Sequence, residues 1–242
     1  MQHKNTPSWY DQHPNPPETQ HGWLTLSMDR QAMDKYVSES AAPGDQVKVF
    51  DGALTRSLVQ AATNDCLASM NQSENFQFQL RLAATNTDAD TILGLVHGLA
   101  VYEKEPDAVN MTVDDFIRDA FDSDEPLFYC LLLDHTDEEG KVHTVGMAFV
   151  YFGYTLGQGR FLYLEDLFLE EPYRKKSGGS MVMQALARIG QACQCQRLYW
   201  QALDWNTPAL SFYNKIGANV HEGELTTRYD GDRLKQFVQE GS

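Results

Sequence analysis

Two carboxylates, Glu165 and Asp166, stand side by side inside an otherwise apolar run, FLYLEDLFLE. A carboxylate held away from water either pairs with a cation or has its pKa raised until it carries a proton. The first state binds an ammonium group and the second follows from accepting a proton. Successive side chains of a strand point to opposite faces, so the structural alternative to a site is a local bulge or strand end that exposes both. Directly downstream, EPYRKKSGGS places Arg174, Lys175 and Lys176 beside Gly178 and Gly179 at the start of a helical pattern. Free backbone N–H groups at a helix start, flanked by cations, form a cradle suited to pyrophosphate, although many solvated loops share that composition.

The elements that must carry these residues follow from hydrophobic period. FQFQLRLA, from Phe76, alternates as a strand with one buried face, and a helix follows with Ile92, Leu95, Val96 and Leu99 as its stripe and Thr87 and Asp90 as its cap. A second helix from near Thr112 buries Phe116, Ile117, Ala120 and Phe121. Segments 128–133, 143–155 and 160–170 read as an antiparallel meander. Then come a helix over 178–194, a strand over 197–203, a short helix over 207–216 that ends at Gly217, and a tail with a strand or two and a helix at 231–239. This order defines an α+β domain over 76–242, a mixed central sheet flanked by helices. Residues 1–75 are read as an N-terminal extension, with 1–22 expected to be flexible because they are polar and carry Pro14, Pro16 and Pro17. Leu54, Leu58, Ala61, Ala62 and Met70 show helical spacing within the extension, and no internal repeat is read.

Composition narrows the partners. Thirty-four acidic against nineteen basic residues give a net charge of -15, which repels phosphate backbones and anionic membranes and attracts cations, while also serving solubility alone. Nucleic acid and membrane are therefore not expected as partners. Four cysteines, Cys66, Cys130, Cys193 and Cys195, are too few and scattered for a disulfide framework, and the C-x-C pair reads as packing. The seven histidines form no H-E-x-x-H, so no metal is expected. With neither a signal-peptide pattern nor an apolar run of the roughly 20 residues that cross a bilayer, the expectation is a cytoplasmic protein.

Two separated stretches, FLYLEDLFL leading into YRKKSGGS, and LDWNTPALSFYNKIGA, together resemble the GNAT acetyltransferases. More narrowly, they resemble the diamine (spermidine/spermine), thialysine and plant-type ornithine/diamine acetyltransferases. The similarity covers roughly residues 78–238 and includes Ala100–Glu103. It implies the acyl-CoA N-acyltransferase fold, acetyl-CoA as co-substrate, a small cationic amine as acceptor and a homodimer. It further implies a pyrophosphate grip by Arg174, Lys175, Lys176, Ser177, Gly178, Gly179 and Ser180. The backbone of Leu167, Phe168 and Leu169 would pair with the pantetheine arm, and Asn206, Thr207, Pro208, Ala209 and Tyr213 would touch the coenzyme. Tyr102, Glu103, Glu165, Asp166, Tyr199, Trp200 and Gln201 would line the acceptor site.

The chemistry suits these residue types. An alkylamine of pKa ~10.4 is neutral in only about one part in ~2,500 at pH 7, so exposing its lone pair costs roughly 4–5 kcal/mol. By the resemblance, Glu165 takes that proton, Asp166 helps bind the cation, and Tyr213 protonates the departing thiolate. Two departures stand out. Ser177 occupies the place of the first expected glycine, where a left-handed conformation costs a serine about 1 kcal/mol. The tail HEGELTTRYDGD carries no tryptophan where those relatives commonly have one, with Glu224 nearest that place. Other readings are a protein or peptide amine as acceptor, and a non-catalytic acyl-CoA sensor.

Overall fold

The computed structural model describes residues 22–40, 46–50, 55–71, 77–221 and 239. Residues 1–21 of the stretch expected to be flexible, residues 231–238 of the expected tail helix and the place of Glu224 lie outside the described residues. Seven strands form one sheet: β1 (Trp23–Asp29), β2 (Phe78–Leu82), β3 (Tyr129–Thr136), β4 (Val142–Thr155), β5 (Gly159–Leu169), β6 (Arg197–Leu203) and β7 (Asn219–His221). Their spatial order is β2-β3-β4-β5-β6-β1-β7, and among the described residues only the β5–β6 pair is parallel. Helices α1 (Arg30–Ser40), α2 (Arg56–Met70) and α5 (Gly178–Ala192) cover one face. Helices α3 (Asn86–Tyr102) and α4 (Val113–Phe116), the latter running into a π turn over Ile117–Phe121, cover the other. The short α6 (Thr207–Lys215) follows β6. The expected mixed α+β sheet is what the chain forms.

Two local differences have clear causes. The T-x-x-D capping pattern occurs twice in register, at Thr85/Asp88 and at Thr87/Asp90, and the first is used. Asp88 is buried, accepts from the Thr85 hydroxyl, and pairs with Arg81 at 2.7 Å, so tertiary contacts choose between two local signals. The second difference concerns residues 23–75. β1 lies between β6 and β7, and α1 and α2 pack on α5, so these parts of the extension belong to the same sheet and core. β1 was illegible by period because Thr25, Leu26, Ser27 and Met28 are buried in succession, which erases alternation.

The sheet opens where the site lies. β5 and β6 pair from Phe161↔Arg197 to Leu164↔Trp200 and then part. β5 runs on to Leu169 against β4 alone, and β6 runs on to Leu203 against β1. At the parting point β4 pairs Val150 with Leu164 and Phe149 with Asp166, leaving Glu165 as an extra residue. This bulge resets the alternation. Leu162 and Leu164 before it, and Leu167 and Leu169 after it, all join the core under α5. Phe168 packs in the α3 core instead, which puts Asp166 on that face beside Glu165.

Candidate active site

Between the diverging strands lies a cavity of about 350 Å³. Leu167, Phe168 and Leu169 form one wall and Gln201, Ala202 and Leu203 the other. The start of α5 contributes Ser177, Gly179 and Ser180; the start of α6 contributes Asn206, Pro208 and Ala209; and Phe212 and Tyr213 close the interior. Tyr102 and Glu103 enter from the end of α3, and Trp23 from the start of β1.

At one end three carboxylates converge: Glu103, Glu165 and Asp166. Burial, then the charges of Glu165 and Glu103, push the Asp166 carboxyl up to about 7. Burial also raises Glu165, opposed by a hydrogen bond from the Tyr151 hydroxyl, and Glu103 is raised by burial and by Glu105. Like charges in a poorly solvated corner cannot all ionise cheaply, and a bound cation relieves them together.

At the other end the backbone is shaped for an anion. Lys175 and Ser177 both adopt left-handed conformations, φ 61° and 66°. Ser177 itself therefore carries the positive φ, and its side chain makes no capping bond, leaving the first N–H groups of α5 without a side-chain partner. Gly178 is needed for space: a Cβ there would lie 2.6 Å from Leu169 Cδ2 and 3.0 Å from Leu133 Cδ2. Arg174 lines the cavity, donates from Nε to the Leu169 carbonyl at 2.7 Å and lies 4.5 Å over the Tyr102 ring. Tyr102 in turn donates its hydroxyl to Asn206 Oδ1 at 3.1 Å, and the same oxygen caps α6 by accepting from Ala209 N. The arginine thus braces the end of β5 against α3, and Tyr102 ties α3 to α6.

These features fit the acyl-CoA group that the residues suggested: an uncapped helix start, a glycine whose Cβ would clash, and a length of β5 edge with no strand beside it. Tyr213 reaches the cavity from α6, is 7% exposed, and packs 5.2 Å from Trp200 and 5.4 Å from Phe212 by ring centroid. Burial raises its phenol well above the usual range, so it stays a neutral hydrogen-bond donor.

Not every expected residue belongs to this site. Trp200 is corrected: it is 1% exposed and lies in the α5 core with Leu198 and Ala202, because adjacent strand residues face opposite ways. Its neighbour Tyr199 points to the opposite face of the strand and is not part of the cavity lining; its ring lies 5.4 Å from the Tyr163 ring and 5.0 Å from the Arg197 guanidinium. Lys176, Gly178 and Thr207 also stand outside the lining, with the Lys176 ammonium over the Tyr173 ring. Trp23, Leu99, Ala202, Leu203 and Phe212 were not foreseen as lining. Phe212 was legible as the neighbour of Tyr213, whereas Trp23 reaches the cavity only through the β1–β6 pairing, Trp23↔Leu203.

A family model described as acetyltransferase (GNAT) family matches residues 91–218. The chain belongs to this family and is an acetyl-CoA-dependent N-acetyltransferase. It is 33% identical over 177 residues to human spermidine/spermine N(1)-acetyltransferase-like protein 1, a match covering 71% of this chain and 25% of that relative's length. It is 30% identical over 161 residues to thialysine N-epsilon-acetyltransferase of Bos taurus, covering 64% of this chain and 94% of the relative. Among solved structures, an integron cassette protein from the mobile metagenome of V. cholerae shares the fold, with a TM-score of 0.54 and 23% identity over 68% of this chain and 99% of that one. No helix among the described residues is long and apolar enough to cross a membrane.

Proposed function

We propose that the protein acetylates the primary amine of a small basic metabolite, of the diamine, polyamine, thialysine, lysine or ornithine type, by direct attack of the neutral amine on acetyl-CoA. The observation that carries this is the Glu103–Glu165–Asp166 cluster at one end of a cavity whose other end is an uncapped helix start. A cationic amine is drawn to the carboxylates and an anionic coenzyme to the opposite end, so the two reactants meet between β5 and β6. The amine types named come from the relatives, whose names include spermidine/spermine and thialysine.

Within the cluster, Asp166 is the better proton acceptor. Its carboxyl is pushed up to about 7, close to the working pH, whereas Glu165, also raised by burial, is the more open of the two to solvent and suits capture and orientation of the ammonium. This exchanges the roles that the sequence suggested. The chain's own residues then do three things: the carboxylates hold the cation and take its proton, the start of α5 holds the coenzyme phosphates, and the Tyr213 hydroxyl donates to the departing sulfur. A cytoplasmic homodimer is expected from the kinship, and a monomer in light scattering at working concentration would remove the dimer.

The test is free-thiol release from acetyl-CoA with a panel of diamines, polyamines, amino acids and a lysine-containing peptide. Turnover of small amines over the peptide supports the proposal, and acetyl-CoA binding with no thiol release from any amine overturns it. In the same assay Tyr213→Phe should lower kcat by about 10²-fold or more with coenzyme affinity nearly unchanged.

A further inference from the structure

A second cavity, of about 230 Å³, shares no lining residue with the first. It lies where β2 ends and β3 begins, walled by the end of the π turn and by the start of α2. Helix α2 precedes residues 91–218, so this wall comes from outside the stretch that the family model matches.

The charge in this cavity has one sign. Arg56, the first residue of α2, donates from Nη1 to the Phe121 carbonyl and from Nη2 to the Ala120 carbonyl. Those bonds use two of the five guanidinium N–H groups and supply no negative charge. Among the described residues Arg56 forms no ion pair, and no Asp or Glu lines the cavity, in a chain that carries thirty-four acidic residues. Tyr129 also lines it, and among the described residues its hydroxyl has no hydrogen-bond partner. Burial raises this phenol, so it stays a neutral donor. A half-buried guanidinium without a counter-ion is costly, and an anion taken from solution offsets that cost. The remaining walls include Leu82, Ala83 and Phe128, an apolar surface that suits a hydrocarbon body beside the charge and wastes the hydration of phosphate or sulfate.

We propose that this cavity binds a small organic monocarboxylate. Its carboxylate takes the unused guanidinium N–H groups and the Tyr129 hydroxyl, and its carbon body lies against Leu82 and Phe128. The site adjoins the chemistry without belonging to it. Phe128 stacks on Phe149 at 4.2 Å, and Phe149 pairs with Asp166 across β4 and β5. A ligand against Phe128 is thus joined to the Asp166 backbone through two packed rings and one strand pair.

The test is equilibrium dialysis of labelled benzoate and butanoate against the full chain, with inorganic phosphate as competitor. Ala84 is exposed at the rim of the cavity. Ala84→Leu fills the space while leaving Arg56 and its two carbonyl partners in place, and it should weaken benzoate binding by about tenfold or more. Tyr129→Phe keeps the ring and removes the hydroxyl, and should weaken it about fivefold, the worth of one hydrogen bond. Saturable binding of both carboxylates that these substitutions weaken supports the proposal. Absence of saturable binding, binding that Ala84→Leu leaves unchanged, or displacement of benzoate by phosphate at equal concentration overturns it. Should Ala84→Leu fail to fold, Tyr129→Phe decides alone, and unchanged affinity there overturns the proposal. Neither amine nor acetyl-CoA enters the measurement, so its outcome is independent of the acetylation proposal.

Discussion

At the scale of single residues, Asp166 links stability to pH. Its carboxyl is raised from 3.8 to about 7 by burial and by two neighbouring carboxylates, so the folded state binds a proton that the unfolded chain has already lost between these values. Stability from this group is fully present below about pH 4 and is lost as pH rises through about 7. Asp166→Asn should therefore melt higher than the parent at pH 8 and alike at pH 4 by calorimetry, and a lower melting temperature at pH 8 would contradict the assigned burial cost. In kinetics, the same substitution should remove the rise of kcat/KM with pH near 7, while Glu165→Gln should mainly raise the KM of the amine. The pair was legible in sequence because charge inside an apolar run is costly. Their separate environments were not, because they depend on Glu103 at the end of α3, more than sixty residues earlier in the chain.

At the scale of elements, a bulge in β5 and a turn before α5 do the positioning. The bulge expected as the alternative to a site is present, and by letting two consecutive carboxylates share a face it is compatible with the proposed site. In the turn, strain and space fall on different residues. Ser177→Gly removes a left-handed serine, and an increase of about 1 kcal/mol in unfolding free energy is expected by denaturant titration. Gly178→Ala places a methyl 2.6 Å from Leu169 Cδ2, pushing α5 off β5. The expected outcome is a lower melting temperature and weaker acetyl-CoA binding by calorimetry. The sequence showed that this turn departs from the glycine pattern. Only the backbone shows that the departure is carried as positive φ at Ser177 and is not transferred to Gly178.

At the scale of the whole molecule, β1 joins the sheet between β6 and β7 and reaches the cavity. Trp23 brings an aromatic ring to the cavity from β1. Trp23→Ala should raise the KM of cationic acceptors severalfold, on the order of the ~0.5–2 kcal/mol of one cation–π contact, without changing coenzyme affinity. Equal loss of affinity for coenzyme and acceptor would show that β1 only props the wedge. By itself the sequence determined the α+β class and the family, and it singled out the carboxylate pair, the turn before α5 and Tyr213 as candidates, because these are local: strand and helix periods, a helix start, and motifs within a few residues of one another. The tertiary structure alone decided that Trp200 faces the core, that Tyr199 stands outside the cavity lining, and that β1 sits between β6 and β7 with Trp23 at the cavity. Those outcomes turn on strand register and on which segments pair across nearly the full length of the chain, and the burial that selects among pairings exists only once the sheet and its two layers of helices have come together.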